Sequence, residues 1–176
     1  MKLEDLKSKI RDVRNFPIQG IIFRDITTLL EDTEAFRFVL DHLYDRYRDK
    51  KIDRVVAIES RGFIFGGALA DRLRCGFVPA RKAGKLPADT IEESYNLEYG
   101  TASLQLHTDA IEKGQRVLIL DDLMATGGTL AATAKLVERL GGEIVDIAVL
   151  IELTSLKGRD MLKGYPLYSM VEYETG

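Results

Sequence analysis

The segment VLILDDLMATGGT, residues 117–129, constrains the chain more than any other stretch. Its four leading apolar residues form a short continuous run, the pattern of a strand buried on both faces of a parallel sheet. Two acids, Asp121 and Asp122, follow, and a loop of small residues then opens the helical pattern LAATAKLVERL, which Gly141 and Gly142 end. In an open α/β sheet, ligands sit at the carboxyl ends of the strands, which is where this reading places both acids, facing solvent. Backbone N–H groups at Ala125, Thr126, Gly127, Gly128 and Thr129 point outward where the helix begins. The two glycines remove Cβ atoms that would block close approach, and Thr126 and Thr129 add hydroxyl donors. That is an anion cradle suited to a phosphomonoester. Asp121 and Asp122 on the same rim can accept hydrogen bonds from ribose hydroxyls or hold Mg²⁺ through water, so the combination suits a sugar phosphate.

The rest of the chain supplies a sheet for that strand. Leu3, Leu6, Ile10 and Val13 recur at helical spacing and stop before Pro17, which predicts a short N-terminal helix. Residues 16–30 mix Pro17, Gly20 and β-branched side chains, which suits an ordered loop or short strand in which Phe23 wants a partner. Phe36, Val39, Leu40, Leu43, Tyr44 and Tyr47 predict an amphipathic helix beginning near Thr33. Residues 54–59 read as a strand, followed by a tight turn and a helix through Ile64, Ala68, Leu69 and Leu73; residues 76–81 read as the next strand. Residues 82–102 are polar with little periodicity, the mark of a long functional or mobile loop. Residues 103–107, 144–153 and 166–173 complete the strands. Strands alternating with helices over 176 residues imply one α/β domain with a mainly parallel central sheet flanked by helices.

Composition and missing motifs narrow the function. With 25 Lys and Arg against 28 Asp and Glu, the net charge of −3 has the wrong sign for a generic nucleic-acid binder. The single Cys75 excludes an internal disulfide framework and a Cys-rich zinc site and fits a reducing compartment, so a cytoplasmic location is expected. The longest stretch without Asp, Glu, Lys or Arg is the twelve residues 123–134, rich in Gly, Thr and Ala, so no membrane span is expected. The charged N-terminus likewise lacks the apolar core of a signal peptide. No two glycines are separated by one residue, which excludes GxGxxG, and neither a Walker A loop, HExxH nor GxSxG occurs. His42 and His107, far apart in the chain, and Cys75 before a strand read as structural residues.

Residues 117–129 resemble the phosphoribosyl pyrophosphate (PRPP) signature of the type I phosphoribosyltransferases: four apolar residues, two acids and an ATGGT-like loop. The strings FPIQGIIFRDIT (16–27), ESRGF (59–63), RKAGKLP (81–87), SYNLEYG (94–100) and ELTSLKGR (152–159) make the match narrower, to the adenine phosphoribosyltransferase family, over nearly the whole chain. The resemblance implies the type I phosphoribosyltransferase fold, with a small N-terminal hood over residues 1–32 and a mobile lid loop over residues 85–101. It implies transfer of the 5-phosphoribosyl group from PRPP to N9 of adenine, giving AMP and pyrophosphate in purine salvage, with Mg²⁺ held mainly by PRPP and water.

Carried across position by position, Ala125, Thr126, Gly127, Gly128 and Thr129 would hold the 5′-phosphate, and Asp121 and Asp122 would face the ribose 2′- and 3′-hydroxyls. Ser60 and Arg61 would meet the pyrophosphate. Arg81, Lys82 and Lys85 would supply positive charge, Arg81 by reaching across the interface of a homodimer. Phe23 and Leu153 would sandwich adenine while main chain near Ile22 and Arg24 reads its edge. Glu98 would stabilise a proton on the purine as N9 attacks, and Tyr99 would help close the site. Gln19 stands where many relatives carry Pro, and Ala83 and Thr101 replace basic residues found in some. The alternatives are a 6-oxopurine phosphoribosyltransferase and a non-catalytic PRPP-binding regulator. The first usually places a Lys near the base, where residues 150–153 have none; the second needs an added DNA-binding domain, for which this length leaves no room.

Overall fold

Four consecutive residues of the central strand, Val117, Leu118, Ile119 and Leu120, are at most 1% exposed, so both faces of the sheet must be covered. The computed structural model describes residues 1–97 and 99–174. A 3-10 turn at Leu3–Lys9 leads into β1 (Arg11–Arg14), β2 (Ile22–Asp25), α1 (Thr27–Glu31), α2 (Thr33–Tyr47), β3 (Arg54–Ile58), α3 (Gly62–Leu73) and β4 (Gly76–Lys82). Then come β5 (Thr90–Asn96), β6 (Thr101–His107), β7 (Arg116–Met124), α4 (Gly128–Arg139) and β8 (Glu143–Leu153). Two 3-10 turns, Thr154–Leu156 and Gly158–Leu162, precede β9 (Leu167–Tyr173).

The main sheet runs in the order β5-β6-β4-β3-β7-β8-β9. Its five central and right-hand strands are parallel, while β6 lies antiparallel to β4 and β5 antiparallel to β6. Because strand side chains alternate, Leu118 and Leu120 join Val39 and Leu43 of α2 and Phe65 and Leu69 of α3 on one face. Val117 and Ile119 join Leu130, Ala134 and Val137 of α4 on the other. Each such leucine or valine contributes about 1.5–3 kcal/mol by leaving water. Local signals agree with these elements. Asp32 caps α2 by accepting hydrogen bonds from the N–H groups of Glu34 and Ala35, both at 3.0 Å, and Gly141 (φ +88) follows α4.

Three expectations change. Only residues 3–9 coil at the N-terminus; Val13 lies in β1, because β1 pairs with β2 in a separate two-stranded sheet that takes up its backbone groups. Asp25 locks that hairpin to α1: the N–H and hydroxyl of Thr27 and the Arg11 guanidinium pull its carboxyl down to about 2. Second, the stretch 82–102 contains a strand of its own, β5. Its period was obscured because a charged residue, Glu93, occupies the face turned to α4, where Lys135 (3.4 Å) and Arg139 (3.3 Å) pair with it. Third, β7 continues through both acids to Met124, so Asp122 lies inside the strand at 5% exposure rather than at a solvent-facing end. Among the described residues no helix is long and apolar enough to cross a membrane.

Between β4 and β5 the irregular segment is residues 83–89, where Lys85 is exposed, whereas Arg81 and Lys82 pair with Gln105 and Leu104 of β6. Brief trypsin digestion of the folded chain should therefore cut after Lys85 well before Arg81 or Lys82, as read by mass spectrometry of the early fragments. Early cleavage after Arg81 would show that β4 frays where the structure has it paired.

Candidate active site

The carboxyl ends of β3, β4 and β7 open into one cavity of about 400 Å³, lined by Glu59, Ser60, Arg61, Lys82, Asp121, Asp122 and Thr129, with Tyr95 reaching in from β5. A smaller hollow of about 100 Å³ adjoins it at Asp121, enclosed by residues 123–130. The three parallel strands end on the same side; β3 and β7 hand the chain to α3 and α4, whose N-termini face the same space, while β4 leads into residues 83–89.

The acids are held there by a close backbone approach. A Cβ on Gly62, the first residue of α3, would stand 2.9 Å from Asp121 Oδ1 and 3.2 Å from the Leu120 carbonyl oxygen, so only glycine lets α3 start directly against β7. That contact carries Arg61 over the acids. Its Nε lies 2.7 Å from Asp122 Oδ2, yet without hydrogen-bond alignment, and Oδ2 is buried with no hydrogen-bond partner. The Asp122 N–H donates to Asp121 Oδ1 at 2.8 Å. Burial, and then the charge of Asp122, push the Asp121 carboxyl well above the usual carboxylate range. Beside this pair, Glu59 accepts the Lys82 N–H at 2.7 Å and lies 3.3 Å from Arg81 Nε. The Glu59–Ser60 peptide is cis.

The small-residue loop is shaped by a second close approach. Gly127 has φ +84, and a Cβ there would meet the Gly158 carbonyl oxygen at 2.5 Å. Gly128, by contrast, has an ordinary φ and begins α4, its nearest neighbour being the Tyr95 ring. The left-handed residue thus sits one position before the helix and turns the chain so that the N–H groups of the first helical turn face the small hollow.

The hood joins the site through Arg61, whose guanidinium lies 5.1 Å from the centre of the Phe23 ring. Phe23 also packs edge-to-face on Phe16 at 5.3 Å. The Asn15 N–H donates to the Ile21 carbonyl at 2.7 Å, and the register pairs Arg14 with Ile22 and Asp12 with Arg24. Hydrogen-bonded pairs alternate in an antiparallel ladder, so Ile22 and Arg24 turn their backbone N–H and C=O away from β1. The Arg24 side chain is buried against Asp12 and the Tyr173 ring, and Leu153, 7% exposed, ends β8 opposite Tyr173.

The structure therefore gathers Ser60, Arg61, Lys82, Asp121, Asp122 and Thr129 around one cavity, with Ala125, Thr126, Gly127 and Gly128 in the hollow beside it. Arg81 lies against Glu59 of its own chain; Lys85 and the 88% exposed Tyr99 stand outside the cavity wall, and Glu98 lies outside the described residues. Glu59, Tyr95 and Gly158 were missed as site residues. Glu59 and Gly158 are signalled by their neighbours in ESRGF and ELTSLKGR, and Tyr95 by its place in the two-residue repeat Ile91, Glu93, Tyr95.

Residues 27–167 match the family model of the phosphoribosyl transferase domain. Over 170 residues the chain is 58% identical to an adenine phosphoribosyltransferase of Alkaliphilus oremlandii (97% of this chain, 99% of that one). It is 53% identical to that of Desulfosudis oleivorans (97% and 98%). The crystal structure of adenine phosphoribosyltransferase from Thermoanaerobacter pseudethanolicus superposes with a TM-score of 0.94 at 51% identity, covering 98% of this chain and 100% of that one. The Saccharomyces cerevisiae structure, complexed with D-2,5-dideoxy-2,5-imino-altritol 1,6-bisphosphate and adenine, gives 0.91 at 39% identity (96% and 98%).

Gly20 and Gly127 separate the two demands on a glycine: both have positive φ, but a Cβ at Gly20 meets nothing within 4 Å. Gly20→Ala should cost about 1–2 kcal/mol from backbone conformation alone. Gly127→Ala should lower the melting temperature clearly further, because a backbone oxygen must also move. Equal shifts in thermal melts of the two variants would remove the contact with Gly158 as a constraint on the loop.

Proposed function

The chain belongs to the phosphoribosyl transferase family, and on that premise we propose that it transfers the 5-phosphoribosyl group of PRPP to N9 of adenine, giving AMP and pyrophosphate, a purine-salvage reaction. One observation carries the reading furthest. A buried Asp122 carboxylate oxygen, ion-paired with Arg61 but without an aligned hydrogen bond, shares a cavity with that guanidinium between a phosphate-sized cradle and an open backbone edge of the hood. Sugar hydroxyls, an anionic leaving group, a phosphate and a flat base each have a counterpart there.

Displacement at the ribose C1 with a good leaving group passes through an oxocarbenium-like transition state, which needs negative charge near the sugar and positive charge at the departing group. The N–H groups of Ala125, Thr126, Gly127, Gly128 and Thr129, with the two threonine hydroxyls, anchor the 5′-phosphate. Asp121 and Asp122 accept hydrogen bonds from the 2′- and 3′-hydroxyls, which gives Asp122 Oδ2 the hydrogen bond its ion pair with Arg61 does not. Ser60, Arg61 and Lys82 bind the pyrophosphate. Mg²⁺ on the pyrophosphate oxygens would neutralise the charge that builds on departure. The two acids suit it through water, since a pair of carboxylates is too few for an all-protein cage. A cation arriving beside Asp121 favours the ionised form that burial opposes.

Adenine lies flat between Phe23 and Leu153, and the outward N–H and C=O groups of Ile22 and Arg24 match an edge with one donor and one acceptor. Glu98 holds the proton that the purine must share as N9 attacks, and Tyr99 closes over it. The lid is the β5–β6 hairpin with residues 83–89; Tyr95 already forms part of the cavity wall, so closure of this hairpin excludes the water that would hydrolyse PRPP. A second copy of the chain fits the face on which Phe77, Pro79 and Arg81 of β4 alternate outward beside Phe63 and the 42% exposed Ile64 of α3. Seated there, a homodimer places Arg81 at the interface.

Pyrophosphate release from PRPP and Mg²⁺ should be fastest with adenine when hypoxanthine, guanine and orotate are run in parallel, because no Lys stands in residues 150–153 to meet a 6-oxo group. Faster turnover of hypoxanthine or guanine would overturn the base assignment. Glu98→Leu should lower kcat and kcat/KM together by about 10²-fold, the scale of a positioned acid or base, with adenine affinity little changed. Near-normal kcat in that variant would remove Glu98 from the mechanism.

A further inference from the structure

Behind the cradle lies an ion pair that lines neither the cavity nor the hollow. Glu152, the residue before Leu153 in β8, is 3% exposed, and Arg159 grips its carboxylate with two parallel bonds: Nε to Oε1 at 2.8 Å and Nη2 to Oε2 at 2.7 Å. Arg159 Nη2 also donates to Ser169 Oγ of β9 at 3.2 Å. One guanidinium therefore ties the 154–162 segment to two adjacent strands. A bidentate grip of this kind fixes orientation as well as distance, which an ammonium cannot do.

The residue next to Arg159 is what makes this grip matter. Gly158 is buried, its carbonyl oxygen occupies the space a Gly127 side chain would need, and its own Cβ would stand 2.6 Å from the Ala125 carbonyl oxygen and 3.0 Å from Met124 Cγ. The back wall of the phosphate hollow is thus the backbone at Gly158, pressed on the cradle at both Ala125 and Gly127. Glu152 is also paired in register with Met124, the residue from which the cradle springs. Packing this close transmits any displacement of the 154–162 turn directly into the cradle.

Resting on the function proposed above, we infer that Glu152 and Arg159 are positioning residues that brace the 5′-phosphate cradle from behind, while the pyrophosphate side of the cavity is held by contacts the pair does not touch, Glu59 with the Lys82 N–H and Gly62 against Asp121. The two halves of the PRPP site then respond differently when the brace is loosened. Arg159→Lys keeps the charge and loses the fork. Glu152→Gln keeps the shape and one acceptor, and serves if Arg159→Lys does not fold.

Ribose 5-phosphate and pyrophosphate, each titrated separately by calorimetry with Mg²⁺, probe the two halves, and circular dichroism and thermal melts establish folding. The expected result is ribose 5-phosphate affinity weakened about tenfold or more, the scale of a sub-ångström misplacement of a binding group, with pyrophosphate affinity within about twofold of the parent. A merely structural pair would lower the melting temperature without separating the two ligands. Unchanged ribose 5-phosphate affinity, or equal loss for both ligands, would overturn the brace. Failure of the parent protein to bind ribose 5-phosphate at all would instead overturn the functional reading beneath it.

Discussion

The structure depends on one arrangement: two consecutive carboxylates carried into the protein on a strand that is buried on both sides. Asp121 and Asp122 belong to β7, and β7 cannot shift toward solvent without exposing the four core residues that precede them. An unpaired buried charge costs several kcal/mol, so the fold must answer it. It answers only in part, with one guanidinium, Arg61, set 2.7 Å from Asp122 but out of line. Asp121 responds by holding its proton more tightly than an ordinary carboxyl. The free protein therefore keeps one buried carboxylate oxygen without an aligned hydrogen bond, at the place where the proposed reading puts a sugar hydroxyl.

Three glycines make the rest of the site possible by letting backbone touch backbone. Gly62 lets α3 start on Asp121, Gly127 lets the cradle turn against the 154–162 segment, and Gly158 lets that segment lie on Ala125. Each is a place where one methyl group would separate two elements. The base side is built on a two-stranded hairpin outside the main sheet, joined to it by Arg24 against the Tyr173 ring, by Leu6, Ile10 and Ile26 in the core, and by Arg61 on Phe23. In the proposed reading, the phosphate and ribose site rests on the main sheet and the base platform on the separate hairpin.

Much of this was legible in the amino-acid sequence. The run 117–120, the acids and the glycine-rich loop determine a buried strand followed by a small-residue turn into a helix, because each depends on local chemistry: continuous apolarity, side-chain charge and the absence of Cβ. The helix at Thr33–Tyr47 and the α/β class were legible for the same reason, as periodicity survives without knowledge of partners. What only the tertiary structure decided are matters of partnership. β5 hid in an apparent loop because Glu93 occupies its inner face, which makes sense only when Lys135 and Arg139 arrive from α4. The hood took strand pairing where spacing predicted helix, because β2 competes for the backbone of β1. Which glycine of the pair 127–128 is left-handed, and that Gly158 stands behind it, follow from contacts between segments some thirty residues apart; no local pattern encodes a distance between elements that meet only when the chain has folded.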